Sequence, residues 1–120
     1  MIDHVTISVG DLEKSRAFYE KAFAPLGYTL AFGETGVFWA FDLGDGLFEI
    51  AQDDDRPLTS VHIAFRVRSR AHVKAFYEAA IAAGGKDHGP PGPRKYTDNY
   101  YACFVLDPDG HNIEAMLETE

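Results

Sequence analysis

An α+β fold built from two tandem strand-helix-strand-strand-strand modules is predicted by three observations. Each half opens on a stretch alternating with period two, continues into an amphipathic helix, and matches the other half at one spacing. His62 stands 58 residues after His4, and the same spacing carries Val9 onto Val67, Ala17 onto Ala75 and Gly27 onto Gly85. It also carries Phe18-Tyr19-Glu20 onto Phe76-Tyr77-Glu78 without a gap. Module 1 covers residues 1–52 and module 2 residues 60–120 of a single 120-residue domain, long enough to bury a real core.

The first strand is Ile2 to Val9, with Val5, Ile7 and Val9 on one face and His4, Thr6 and Ser8 on the other. Asp11 caps the following helix, Glu13 complements its dipole, and Ala17, Phe18, Ala22 and Phe23 form its apolar stripe. Pro25 and Gly27 end it. Tyr28 to Phe32 and the aromatic Val37 to Leu43 read as strands, and Gly44-Asp45-Gly46 turns the chain into Leu47 to Ala51. The polar Asp53-Asp54-Asp55-Arg56-Pro57 reads as the connector between halves. Val61 to Val67 repeats the first strand. Val73, Phe76, Tyr77, Ala80 and Ile81 face the core from the second helix, and Gly84-Gly85 stops it. Lys86 to Lys95 holds three prolines and two glycines and is expected to be a loop, either a spacer or a lid. Tyr101 to Leu106 and His111 to Leu117 form a closing hairpin around Asp107-Pro108-Asp109-Gly110.

Composition narrows the partners. Net charge is −8 and the pI about 5.0, which argues against nucleic acid or an anionic membrane. No apolar run approaches membrane-spanning length, and no signal peptide is visible ahead of the first strand. The lone Cys103 lies in an apolar strand and reads as a buried, inert thiol. A cytoplasmic protein is the expectation.

The candidate chemistry follows from strand parity. In the last strand Ile113, Ala115 and Leu117 pack the core, so Glu114 points to the opposite face. His4 and His62 do the same in their own strands, and Glu49 joins them if its register holds. Imidazole nitrogens and carboxylate oxygens converging on the face that each helix leaves open suit a divalent ion: Zn, Ni, Mn, Co or Fe. Two His and one Glu leave coordination positions open for substrate. Glu49 is either a fourth ligand or the ion-pair partner of Arg56 or Arg66. His72, His88 and His111 fall on a helix, a loop and a turn, and are read as solvated.

Ile2-Asp3-His4-Val5, Val61-His62-Ile63-Ala64-Phe65 and Phe104 through Glu114 together resemble the glyoxalase/bleomycin-resistance/extradiol-dioxygenase superfamily, the vicinal oxygen chelate fold. The likeness covers essentially the whole chain, and the last motif is its most specific part. It implies that the paired modules curl into a partly open barrel around a central cleft, with His4, His62 and Glu114 as ligands. It also implies a homodimer, often with exchanged modules. Glyoxalase I-like members add an acid from the first module, the role open to Glu49. Extradiol dioxygenases and fosfomycin thiol transferases use two His and one Glu.

The expected function is a small glyoxalase-like metalloenzyme, of lyase or thiol-transfer type. Its divalent metal acts as a Lewis acid on a small oxygenated substrate. Glu114 or Glu49 is the candidate proton-shuttling base. Arg94 and Lys95 are candidates to hold an anion, and Trp39, Tyr96 and Tyr100 to wall the cleft. The alternative is a metal-free protein of the bleomycin-resistance type that sequesters a planar small molecule.

Overall fold

In the computed structural model, residues 2–53 and 59–118 are described. Module 1 comprises β1 (His4–Val9), α1 (Leu12–Phe23), a 3-10 turn (Ala24–Leu26), β2 (Thr29–Glu34), β3 (Phe38–Asp42) and β4 (Leu47–Gln52). Module 2 comprises β5 (His62–Arg66), α2 (Arg70–Ala82), β6 (Lys86–Arg94), β7 (Tyr100–Leu106) and β8 (Asn112–Glu118). The two mixed sheets have orders β1-β4-β3-β2 and β5-β8-β7-β6, so the duplication inferred from spacing is a duplication of topology. Neither sheet closes on the other. The connector from Asp54 to Pro57, including Arg56, lies outside the described residues.

Both helices start where the sequence provides a cap. The Asp11 carboxylate accepts from the Lys14 amide, and the Ser69 hydroxyl from the His72 amide. Gly27 ends the first helical segment at φ 76°, a conformation that costs a residue with a Cβ far more. The helices cover one face of each sheet and contribute to a continuous core. Phe23 sits at its centre, with the rings of Phe41, Phe48, Phe65 and Phe76 at centroid distances of 5.4, 5.6, 5.2 and 6.5 Å. Cys103 is fully buried in this core, and burial pushes its thiol up to about 12, so it stays protonated and unreactive at neutral pH.

The expected loop between α2 and β7 is instead a strand. Residues Lys86–Arg94 pair with β7 as β6, with register shifts between Asp87 and Gly92. β6 is the outermost strand of its sheet, where one edge makes no ladder bonds. Proline is tolerated at such an edge, and the irregular register accommodates Pro90 and Pro91.

Candidate functional site

The parallel pairs β1–β4 and β5–β8 set the site. In module 1 Glu49 stands opposite Thr6, and in module 2 Glu114 stands opposite Ala64. Ala64 is the repeat equivalent of Thr6, so the two glutamates occupy matching positions despite their shifted sequence spacing. On the other side Glu49 faces Ala40 and Glu114 faces Phe104. Glu49 accepts a hydrogen bond from the Thr6 hydroxyl at 3.0 Å. It does not pair with Arg66, whose guanidinium lies 3.9 Å from Glu118.

Glu114 is the more constrained of the two, at 3% exposure. One carboxylate oxygen lies 3.0 Å from Nε2 of His62, and the other accepts from the Tyr100 hydroxyl. Nδ1 of His62 is 3.1 Å from the Asn112 carbonyl oxygen, which can only accept, so Nδ1 carries a proton. Nε2 therefore faces the Glu114 oxygen at hydrogen-bond distance, a contact that either a proton or a divalent cation between the two atoms satisfies. Burial and the neighbouring Glu114 hold the Tyr100 hydroxyl well above the ordinary phenol range, so it remains a donor. The Phe104 ring stacks beside His62 at 6.0 Å, and the Arg94 guanidinium lies 5.4 Å from the centre of the same ring. Arg94 is steadied there by hydrogen bonds to the Pro90 and Pro93 carbonyls. Ala102, Phe104 and Met116, with Tyr100 beside them, make a small apolar cluster around the carboxylate.

His4 is prepared in the same way. Its Nδ1 lies 2.9 Å from the Asp3 carboxylate, leaving Nε2 free. The hydrogen bond to Asp3, and secondarily the charge of Glu49, raise its pKa. Histidines that bind metals commonly donate their second ring N–H to a carboxylate or a backbone carbonyl, as His4 and His62 do here. The donor set thus fits a borderline divalent ion.

The expected meeting of His4, His62 and Glu114 within one chain is not what the structure shows. β1 and β5 pass each other in opposite directions. Ser8, near the end of β1, is joined through His111 to Val61 at the start of β5. His4 instead shares a cavity of about 240 Å³ with Ile63, Ala64 and Phe65. Among the described residues, no three of His4, Glu49, His62 and Glu114 have donor atoms all within 4.8 Å of one another. Strand parity gives the face of each strand on which His4 and His62 lie, but not the direction of the seam.

Other expectations need similar correction. Trp39 belongs to the helix-covered face, where its indole N–H donates to Glu13 at 2.9 Å and Arg16 lies over its ring. It does not line the open face. Lys95 and Tyr96 are exposed, the latter edge-on to Tyr100 at 5.1 Å. His88 is exposed as expected, but His111 is 1% exposed. His111 accepts from the Val61 amide at Nδ1 and donates from Nε2 to the Ser8 carbonyl, tying module 1 to module 2.

Among the described residues, the group of three His, Asp or Glu side chains with donor atoms mutually within 4.8 Å is Asp107, Asp109 and His111. These atoms already have partners. Asp107 accepts from the Tyr19 hydroxyl at 2.6 Å and from the amides of Asp109 and His111. Asp109 accepts from the Gly10 amide and the Ser15 hydroxyl. The turn is therefore a clasp between modules, and its signal lay in the Asp107-Pro108-Asp109-Gly110-His111 sequence itself.

Comparison with known proteins agrees with this architecture. The family model for the Glyoxalase/Bleomycin resistance protein/Dioxygenase superfamily matches residues 1–115. The chain is 31% identical over 125 residues to the metallothiol transferase FosB of Shouchella clausii (strain KSM-K16), covering 98% of this chain and 80% of that protein. A glyoxalase/bleomycin resistance protein from Albidiferax ferrireducens T118 superimposes with a TM-score of 0.84 at 30% identity, over 97% of both chains. A glyoxalase-related enzyme from Fulvimarina pelagi superimposes at 0.76 with 24% identity, over 97% of this chain and 86% of its own, a likeness of fold.

Proposed function

Because the chain belongs to the Glyoxalase/Bleomycin resistance protein/Dioxygenase superfamily, we propose that it is a metal-dependent enzyme that adds a thiol to a small oxygenated electrophile. The observation that carries this reading is the buried Glu114 carboxylate facing Nε2 of His62 at 3.0 Å, with Nδ1 of that ring held by the Asn112 carbonyl. A divalent ion satisfies both atoms, and the 31% identical metallothiol transferase favours thiol transfer over isomerisation.

His62 and Glu114 hold the ion from one chain, and His4, with Glu49 beside it, completes the set from a second copy. A twofold axis across the β1–β5 seam exchanges its two ends, bringing His4 of one copy toward His62 of the other. The site is thus incomplete in a single chain, and the working unit is a homodimer.

When bound, the ion supplies Lewis acidity to the substrate oxygen. Tyr100 donates to Glu114 and fixes its rotamer, so the carboxylate keeps its orientation as charge moves nearby. Arg94, anchored over Phe104, presents its remaining N–H groups to an anionic substituent of the substrate. Phe104, Ala102 and Met116 keep water from the carboxylate. In the reaction the thiolate sulfur bonds to a substrate carbon as that carbon's C–O bond breaks. The electron pair stays on oxygen, which takes a proton.

The test is thiol consumption with a phosphonate-bearing epoxide, fosfomycin, by protein loaded with Mn²⁺ or Zn²⁺ and by protein stripped with EDTA. A product joining sulfur to carbon, formed only by loaded protein, is expected. Stoichiometric fosfomycin binding without turnover, equal in both preparations, would contradict the proposal in favour of sequestration.

A further inference from the structure

A second cavity, of about 450 Å³, opens between the modules, away from the His62–Glu114 pair. Its walls carry opposite charges. Arg66, Arg68 and His72 come from the end of β5 and the start of α2, while Asp42 and Asp45 come from the β3–β4 turn. Tyr28 lies between them. The Tyr28 phenol is raised by burial first, with Arg68 opposing that rise and Asp45 adding to it, and all three line the cavity. Among the described residues, no carboxylate lies within ion-pair distance of Arg68. Asp42 uses one oxygen to hold the Gly44 amide at 2.8 Å, which fixes the turn that presents Asp45. His72 is steadied by Ser69 at 2.7 Å.

Arginines on one wall and carboxylates on the other, in a protein of net charge −8, do not suit a simple anion or a simple cation. They suit a molecule carrying both signs a few ångströms apart. We propose that this cavity binds a small zwitterion of the α-amino acid class, with its carboxylate toward Arg66 and Arg68 and its ammonium toward Asp42 and Asp45. The volume accommodates an amino acid with a side chain of moderate size. Leu43 borders both this cavity and the one containing His4.

The experiment is a titration of the full-length, ¹⁵N-labelled protein with L-serine, with lactate (carboxylate only) and ethanolamine (ammonium only) as single-charge comparators. Saturable shifts with L-serine at the amides of Gly27, Gly44, Arg68 and His72 are expected, with each comparator at least about tenfold weaker. Arg68→Gln and Asp45→Asn each weaken L-serine by at least about tenfold. Both side chains are exposed, so the variants retain the wild-type spectrum elsewhere. EDTA and His62→Ala leave L-serine binding unchanged, which separates this site from the metal reading. Equal affinity for lactate and L-serine, wild-type affinity in either variant, absence of saturable shifts, or dependence on metal would each overturn the proposal.

Discussion

His62→Ala is expected to lower the protein's affinity for Mn²⁺ or Zn²⁺ by at least about 100-fold, and Glu114→Gln by a similar factor. His62 supplies a ring nitrogen whose tautomer is fixed by the Asn112 carbonyl, and Glu114 supplies a carboxylate already desolvated by the fold. His62→Ala also leaves one oxygen of the buried Glu114 carboxylate without its partner, in addition to losing one ligand bond. The readout is direct in elemental content and also in stability. An ion present at about 1,000 times its dissociation constant stabilises the native state by about 4 kcal/mol, which His62→Ala should forfeit. Tyr100→Phe separates orientation from ligation, because it removes the donor that holds Glu114 but no ligand atom. Its loss of affinity is expected to fall nearer about tenfold. Wild-type metal content and wild-type metal-dependent stabilisation in His62→Ala would remove His62 from the ligand set.

Asp107→Ala is expected to destabilise the protein by about 3–5 kcal/mol and lower its melting temperature by roughly 15 °C. The carboxylate is 4% exposed and accepts three hydrogen bonds, from the Tyr19 hydroxyl and the amides of Asp109 and His111. Alanine strands all three donors in the interior. The Tyr19 hydroxyl is lifted above the usual phenol range, by burial first and by the Asp107 charge second, so it stays protonated as the donor to Asp107. The effect also spreads across the molecule. Asp107 shapes the turn from which Asp109 reaches Gly10 and Ser15, and His111 reaches Ser8 and Val61. Tyr19→Phe leaves the two backbone bonds intact and should cost only about 1–2 kcal/mol. A loss below about 1 kcal/mol in Asp107→Ala would show that the clasp is not what joins the modules.

These two residues illustrate what was legible in the sequence. Glu114 stood out because an acid between Ile113 and Ala115 in an apolar strand must face away from the core, and period-two alternation is a local property. The repeat was equally legible, since helix stripes and first strands recur at one spacing. The matching position of Glu49 was hidden because it precedes Glu114 by 65 residues (114 − 49) and not by 58, and it emerges only from the β1–β4 and β5–β8 registers. His111 was misread as solvated because its partners, Ser8 and Val61, are far away in the chain. Lys86–Arg94 was misread as a loop because a proline-rich segment becomes a strand only where tertiary structure gives it an edge position. Trp39 was assigned to the cleft by residue type alone, whereas its parity with Phe41 turns it toward α1. Strand parity gives the face on which a side chain lies. It does not say which chain faces it.

That last point is the centre of the account, and mixing two inactive variants tests it. In the proposed shared-site dimer, His4→Ala and His62→Ala homodimers would each lack one ligand in both sites, so neither should hold metal tightly. After unfolding and refolding together in equal amounts, half of the dimers pair one variant with the other, and each such dimer regains one intact site. Tight metal content should recover to about a quarter of wild type, as twofold symmetry with shared sites requires. No recovery in dimers verified as mixed would contradict the account, because ligands drawn from a single chain cannot complement one another.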